Sequence, residues 1–411
     1  MTETLSPKLT RNVIFLVLVA SLGYFVDIYD LLVFSIVRMP SLLAIGVKPA
    51  DIKAVGITII NWQMGGLLIG GLLWGMLGDK LGRIKVLFGS ILLYSIANFV
   101  NGRITSVDQY IIVRFIAGVG LAGELGAGIT LVTETMKTTK RGYGTMIVSV
   151  IGLLGAAAAN LVAKNMDWHW AYYIGGILGI FLLVLRLGTF ESGLYKDVER
   201  SEISRGNFLM LFTSFKRFIK YLYCILVGSA NWFVIGILIT LSPEFGKALG
   251  AKIQLSAGDG IFYTYIGIAI GGLFAGLFSQ ITRSRRLTVV VWVIISAISA
   301  VCYLRTTGIT PSQFTWLCLF MGFGVGYWPI FVTIPAEQFG TNIRATVTTT
   351  VPNFIRASLI PINAGFAALS ASYGMITSGY IMMVALSLIA LFAISQLRET
   401  FHTDLNYVEE V

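Results

Sequence analysis

The chain has 411 residues, 56% of them hydrophobic and 12% charged, with 30 Lys and Arg against 20 Asp and Glu for a net charge of +10. Soluble domains carry roughly 25% charged residues, so this composition excludes a water-soluble globule and predicts a protein embedded in lipid. Elsewhere such an excess of positive charge would point to nucleic acid; in so apolar a chain the charge asymmetry of membrane loops accounts for it.

Twelve apolar runs follow in chain order, near 12–37, 55–78, 86–101, 110–135, 142–163, 171–190, 219–241, 258–281, 287–305, 313–335, 347–370 and 374–396. Each is long enough to cross hydrocarbon of about 30 Å, so the expected fold is an all-α integral membrane protein with about twelve transmembrane helices. The first run is too long for a secretion signal and contains Asp27 and Asp30, so it reads as a helix that stays. With the N-terminus inside, one face collects Lys80, Arg83, Lys85, Lys137, Lys140, Arg141, a cluster from Lys196 to Lys220, and Arg283, Arg285 and Arg286. The other face holds only scattered Lys48, Lys53, Arg103, Lys247 and Lys252, which predicts cytoplasmic termini. The polar stretch 191–220 reads as a cytoplasmic linker between six-helix halves over 1–190 and 221–411.

The two halves repeat each other. Gly75-Met-Leu-Gly-Asp79-Lys80-Leu-Gly82-Arg83-Ile-Lys85 is matched by the stretch from Gly276 to Arg286, and Glu134 with Arg141 by Glu337 with Arg344, at offsets of about 201 and 203 residues. Gly66/Gly70, Gly71/Gly75 and Gly272/Gly276 stand four apart on one helix face, where small residues let backbones approach. An internal duplication in an apolar chain is the plan of a secondary transporter whose halves rock about a midplane site. Cys224, Cys302 and Cys318 lack metal-ligand spacing, and no nucleophile triad or phosphate-binding loop stands out, so neither an enzyme nor a cofactor is expected.

The stretch from Gly75 to Lys85 resembles the loop between helices two and three of the major facilitator superfamily. Arg114-Phe-Ile-Ala-Gly118, Glu134 with Arg141, Glu191-Ser192 and Glu337 with Arg344 also fit that family. The resemblance implies a gating role for Gly75, Asp79, Arg83, Glu134, Arg141, Glu337 and Arg344, with Asp79 latching basic groups or helix N-termini of the other half. Asp27-Ile-Tyr29-Asp30-Leu31 is similar to helix one of proton-coupled phosphate and organic-acid symporters, and Gly120-Leu-Ala-Gly123-Glu124 to helix four of metabolite–proton symporters. Helix five lacks the Gly-Pro signature of drug antiporters.

Charges in hydrocarbon are costly, so each deep one needs a partner or a task. Asp27 and Asp30, three apart and expected on one helix face, are the first candidates for proton coupling, with Glu124 next. Arg356 is expected to hold a substrate anion, because it lies deep, Leu153 occupies its repeat position, and it follows Arg344 by twelve residues, where phosphate symporters place a substrate-binding Lys. Arg114, Asn353, Asn231, Trp232, Gln63 and Tyr327 complete the expected substrate site. The sequence thus predicts a monomeric, proton-driven importer of a small anionic metabolite in a bacterial inner membrane, with no nucleic-acid partner. A zwitterion or amino-acid carrier and a drug or metabolite exporter are the alternatives.

Overall fold

The computed structural model describes residues 7–136, 141–188, 207–401 and 407–409. Among them are 12 helices long and apolar enough to span a membrane. The first half contains α1 (Val13–Ala44), α2 (Ile52–Leu81), α3 (Arg83–Asn101), α4 (Val107–Val132), α5 (Tyr143–Asn165) and α6 (Trp168–Leu185). The second contains α7 (Phe215–Ile239), α8 (Ala257–Thr282), α9 (Arg285–Arg305), α10 (Pro311–Gln338), α11 (Arg344–Tyr373) and α12 (Met375–Gln396). No strand occurs among the described residues, as expected where lipid offers a backbone no hydrogen bonds and helices satisfy their own.

Each apolar run coincides with one helix. The largest departure is α1, which continues past residue 37 to Ala44 and so includes Arg38. Much of the expected linker, with Glu191-Ser192, Lys196, Arg200 and Arg205, falls outside the described residues, whereas Lys216, Arg217 and Lys220 already belong to α7.

The most buried helices are α1, α4, α7 and α10, every third one, and they form the centre of the bundle. The others turn side chains such as Phe181, Ile281 and Phe392 outward, where lipid receives them. Glycines set the spacing. A Cβ on Gly66 or Gly70 of α2 would lie 2.2 or 2.4 Å from the carbonyl oxygens of Phe115 and Val119 in α4. A Cβ on the equivalent Gly267 or Gly271 of α8 would lie 2.2 or 2.4 Å from those of Leu319 and Phe323 in α10. A second face of the same helices meets the opposite half: Gly75 approaches Thr346 of α11, and Gly276 approaches Met146 of α5. Two glycine faces thus make two kinds of contact, one within a half and one between the halves.

The repeat extends to the helix irregularities. α4 is interrupted at Ala122–Gly123 and α10 at Gly326–Tyr327; α5 is interrupted at Leu154 and α11 at Ser358. Corresponding breaks are 204 residues apart in both cases, close to the offset of the motifs. Between α2 and α3 the chain reverses at Gly82 alone, with φ 100°, a conformation that only glycine adopts without strain.

Gly66→Ala and Gly267→Ala should each lower stability by about 1–3 kcal/mol, because a methyl group must push backbone away. Gly65, whose added Cβ would meet nothing within 4 Å, supplies the control. Melting temperatures in detergent that match across all three variants would contradict this packing.

Candidate functional site

Near the middle of the bundle the broken helices bring polar groups together. α7 breaks after Leu226, resumes as the short helix Ser229–Phe233 and continues as a π-helical segment Val234–Ile239. Such interruptions free backbone groups and redirect side chains, and they recur at functional sites. Asn231 and Trp232 follow the break in α7, and Trp328 follows that in α10. The Tyr327 hydroxyl donates to Val227 O at 2.9 Å and ties the two breaks together.

Arg356 of α11 points into this region and meets Asp27 of α1, with Nη2 at 3.3 Å from Oδ2 and both side chains at most 1% exposed. With Tyr24, Asn231, Trp232, Tyr265 and Trp328, Arg356 lines a cavity between the halves of about 20 Å³. That is room for about one water molecule, so the site is closed around its own side chains. Asp27 Oδ1, Arg356 Nε, Trp232 Nε1 and both amide atoms of Asn231 are buried without a hydrogen-bond partner among the described residues. One cation, one carboxylate and an amide converge here, surrounded by aromatic rings. A far larger cleft of about 710 Å³ opens near the ends of α7 and α12, but second-half residues alone line it.

The remaining deep charges are matched within the first half. Asp30 accepts from Asn98 Nδ2 of α3. Arg114 donates through Nη2 to Asp30 O at 2.8 Å and through Nε to Gln63 Oε1 at 3.3 Å. Glu124 forms a two-pronged ion pair with Arg186, at the start of the 3-10 turn that follows α6. Asp27 and Asp30, though three residues apart on α1, find different partners: one carboxylate turns to α11 and the other to α3. Arg114 and Gln63 brace α1, α2 and α4 and do not line the central cavity, and neither does Tyr327. The Asn353 amide donates to Ala122 O and Thr349 O, both at 2.8 Å, and its carbonyl accepts from Arg356 at 3.3 Å. It therefore positions Arg356 and docks α11 on the break in α4. Trp62, half exposed, packs edge-on against Phe115 and does not line the central cavity.

Both faces are closed. At the terminal face, where α1 begins and α12 ends, Asp79 accepts the backbone N–H groups of Ala345 at 3.1 Å and Thr346 at 2.7 Å, plus the Thr346 hydroxyl at 2.7 Å. The first turn of α11 presents those N–H groups unpaired within its own helix, and they favour a carboxylate. Arg83, brought round by Gly82, stands 3.4 Å from Asp79 and 2.9 Å from Glu134, which Arg344 reaches across the boundary at 3.4 Å. Glu337 pairs with Arg285 within the second half. Arg141 opens the helix leading into α5, and its side chain lies outside the described residues. On the far face Arg38 meets Glu244 at 3.3 Å, Asn160 reaches Asp259 at 3.4 Å, Lys164 also pairs with Asp259, and Asn363 donates to Asn61 at 2.8 Å.

Sequence reasoning missed Tyr24 and Trp328 at the cavity, Thr346 at the closure, and the assignment of Arg186 to Glu124. Arg186 could have been paired by elimination, as a deep cation with no other stated partner. Tyr24 stands one turn before Asp27 and so shares its face.

An Asp79→Asn protein should lose the charge assistance of three hydrogen bonds, worth about 1.5–3 kcal/mol for a charged acceptor. The terminal face should then open about ten- to a hundredfold more often. Reactivity of cysteines placed at Thr348 and Thr130, whose hydroxyls meet at 2.6 Å across the boundary, reads that opening; unchanged labelling would deny Asp79 a latching part.

Known proteins agree with this architecture. The family model of the Major Facilitator Superfamily matches residues 13–355. The sialic acid transporter NanX of Escherichia coli is 25% identical over 394 residues, covering 90% of each chain. The niacin transporter NiaP of Acinetobacter baylyi is 24% identical over 359 residues, covering 80% of each. The solved structure of the E. coli proton:xylose symporter XylE superposes with a TM-score of 0.72 at 17% identity, over 96% of this chain and 98% of that one, a likeness of fold. The chain belongs to the Major Facilitator Superfamily: it is a multi-pass membrane transporter of small molecules and not an enzyme.

Proposed function

We propose that the protein imports a small organic acid together with a proton across a bacterial inner membrane, by exposing the Asp27–Arg356 centre to each side in turn. The observation that carries this reading is the pair itself. Among the described residues it is the ion pair that joins the two halves at mid-depth, and it lies where the unpartnered polar atoms converge.

A substrate carboxylate binds Arg356 by displacing Asp27. The displaced Asp27, if still charged, would be a bare carboxylate in a dry site, at a cost of about 3–5 kcal/mol. That suppresses the state by roughly two to four powers of ten. A proton on Asp27 removes the penalty, so anion and proton load together. The centre is then electrically neutral when loaded (guanidinium, substrate anion, protonated Asp27) and when empty (guanidinium and carboxylate). Either neutral form can reorient through the low-dielectric middle, whereas a proton without the anion leaves a net positive charge that resists it. Asp79, Glu134 and Arg344 close one side, and the contacts of Arg38 and Asp259 close the other.

The rings of Tyr24, Trp232, Tyr265 and Trp328 favour a flat or cyclic body on the acid. Relatives named for niacin and sialic acid, both carboxylic acids, support the same class. Import follows if the terminal face, with Lys80, Lys85, Lys216 and Arg286, is cytoplasmic by the positive-inside rule.

Proteoliposomes supplied with labelled nicotinate or nicotinamide, with and without an inward proton gradient, test this. The acid should accumulate and the neutral amide should not. Arg356→Ala should weaken acid binding about ten- to a hundredfold, and Arg356→Lys should restore part of it. Wild-type affinity should rise as pH falls. Asp27→Asn should bind without pH dependence and exchange substrate without accumulating it, while Asp30→Asn and Glu124→Gln retain the dependence. A folded Arg356→Ala protein of wild-type affinity, or an Asp27→Asn protein that still concentrates the acid, would refute the mechanism.

A further inference from the structure

Arg38 sits in the last two turns of α1, on the face opposite the termini, and is 2% exposed. Burial of a guanidinium normally brings several hydrogen bonds. Here one N–H direction is used, from Nη2 to Glu244 Oε1 at 3.3 Å, while Nε and Nη1 have no partner among the described residues. Glu244 is itself loosely held: its side chain is 24% exposed and its other oxygen is buried without a partner. Arg38 lines a cleft of about 400 Å³ between the halves, flanked by Lys53 on one side and Lys247 on the other. Three cations therefore face one carboxylate. The seat is built into the fold, because a Cβ on Gly56 of α2 would lie 2.5 Å from Arg38 Cδ.

We propose that Arg38 is an anion-docking site at the outer mouth: the carboxylate of an arriving substrate replaces Glu244 on its guanidinium and thereby parts one of the contacts closing that face. This rests on the reading that the substrate is an organic anion, and it adds a first station on the path to Arg356. A ligand carboxylate that takes two N–H groups of the fork outcompetes a side chain that takes one. The flanking lysines raise the local anion concentration and hasten encounter. Releasing Glu244 couples that encounter to opening, so the mouth yields to an anion rather than to any solute.

The same ion pair read purely as a clasp makes a different prediction, and two substitutions separate them. Arg38→Gln and Glu244→Gln both break the pair, so a mere clasp loosens alike in both and nicotinate reaches the centre faster in each. Docking requires opposite signs. Arg38→Gln should slow nicotinate association about tenfold and flatten its dependence on ionic strength, while Glu244→Gln, freed of its competitor, should speed it severalfold. The double variant should behave like Arg38→Gln. Association is read by stopped-flow quenching of tryptophan fluorescence, with melting temperatures confirming that each variant is folded. Shifts of the same sign in both single variants overturn the docking site. The anion reading fails separately, if wild-type protein binds nicotinamide as fast and as tightly as nicotinate.

Discussion

A charge between helices in a bilayer must be matched, and the way this chain matches its deep charges divides the molecule into scaffold and machine. Glu124 with Arg186, Asp30 with Asn98, and Arg114 with Gln63 and the Asp30 carbonyl all lie within the first half. Removing one partner of a buried ion pair such as Glu124–Arg186 costs about 3–5 kcal/mol, and together with the charged hydrogen bonds it fastens α1, α2, α3, α4 and α6 into one body. Asp27 and Arg356 belong to different bodies. Any relative movement of the halves strains that contact alone among the mid-depth ion pairs described, and any ligand that competes for it acts directly at the boundary.

The two closures use opposite polarity. At the terminal face the first half supplies carboxylates, Asp79 and Glu134, and the second supplies Arg344 and the N-terminus of α11. At the far face the first half supplies cations, Arg38 and Lys164, and the second supplies Glu244 and Asp259. Their environments also differ. The terminal closure is buried and rests on backbone N–H groups whose position the helix fixes, whereas the Lys164–Asp259 pair is half in solvent, where such pairs contribute at most about 1 kcal/mol. The far side is therefore the weaker of the two closures.

Twelve helices and the duplication were legible in the sequence because bilayer thickness forces long apolar runs, and because Gly75, Asp79, Glu134 and Arg344 carry turn and capping chemistry that depends on nearby residues. Arg356 stood out as a cation in hydrocarbon with Leu at the repeat position. Partner choice was not legible. Asp27 and Asp30 share a helix face by spacing, yet which of them meets Arg356 depends on how far α11 penetrates, and the bond from Asn353 to Ala122 O sets that docking. Asn353 and Tyr327 looked like ligand groups because amides and hydroxyls are rare in hydrocarbon; helix breaks create carbonyls that absorb them. Arg38 was overlooked because the apolar run ends near residue 37, although the helix does not.

The duplicated scaffold is most informative where it fails to repeat. Leu153 and Arg356, equivalent by offset, line the same central cavity from opposite halves. Asp27 and Asn231 are similarly related, one charged and one neutral. Had both copies kept an arginine, two buried guanidiniums would face a single carboxylate and the empty centre would carry a net positive charge, which the bilayer interior penalises. Had both kept an aspartate, one would lack a cation. A single cation opposite a single acid is the smallest set that is neutral both before and after it exchanges its internal carboxylate for an external one with a proton. Symmetry can build the two closures and the surface between the halves, but a neutral pair such as Asp27 and Arg356 has to break it.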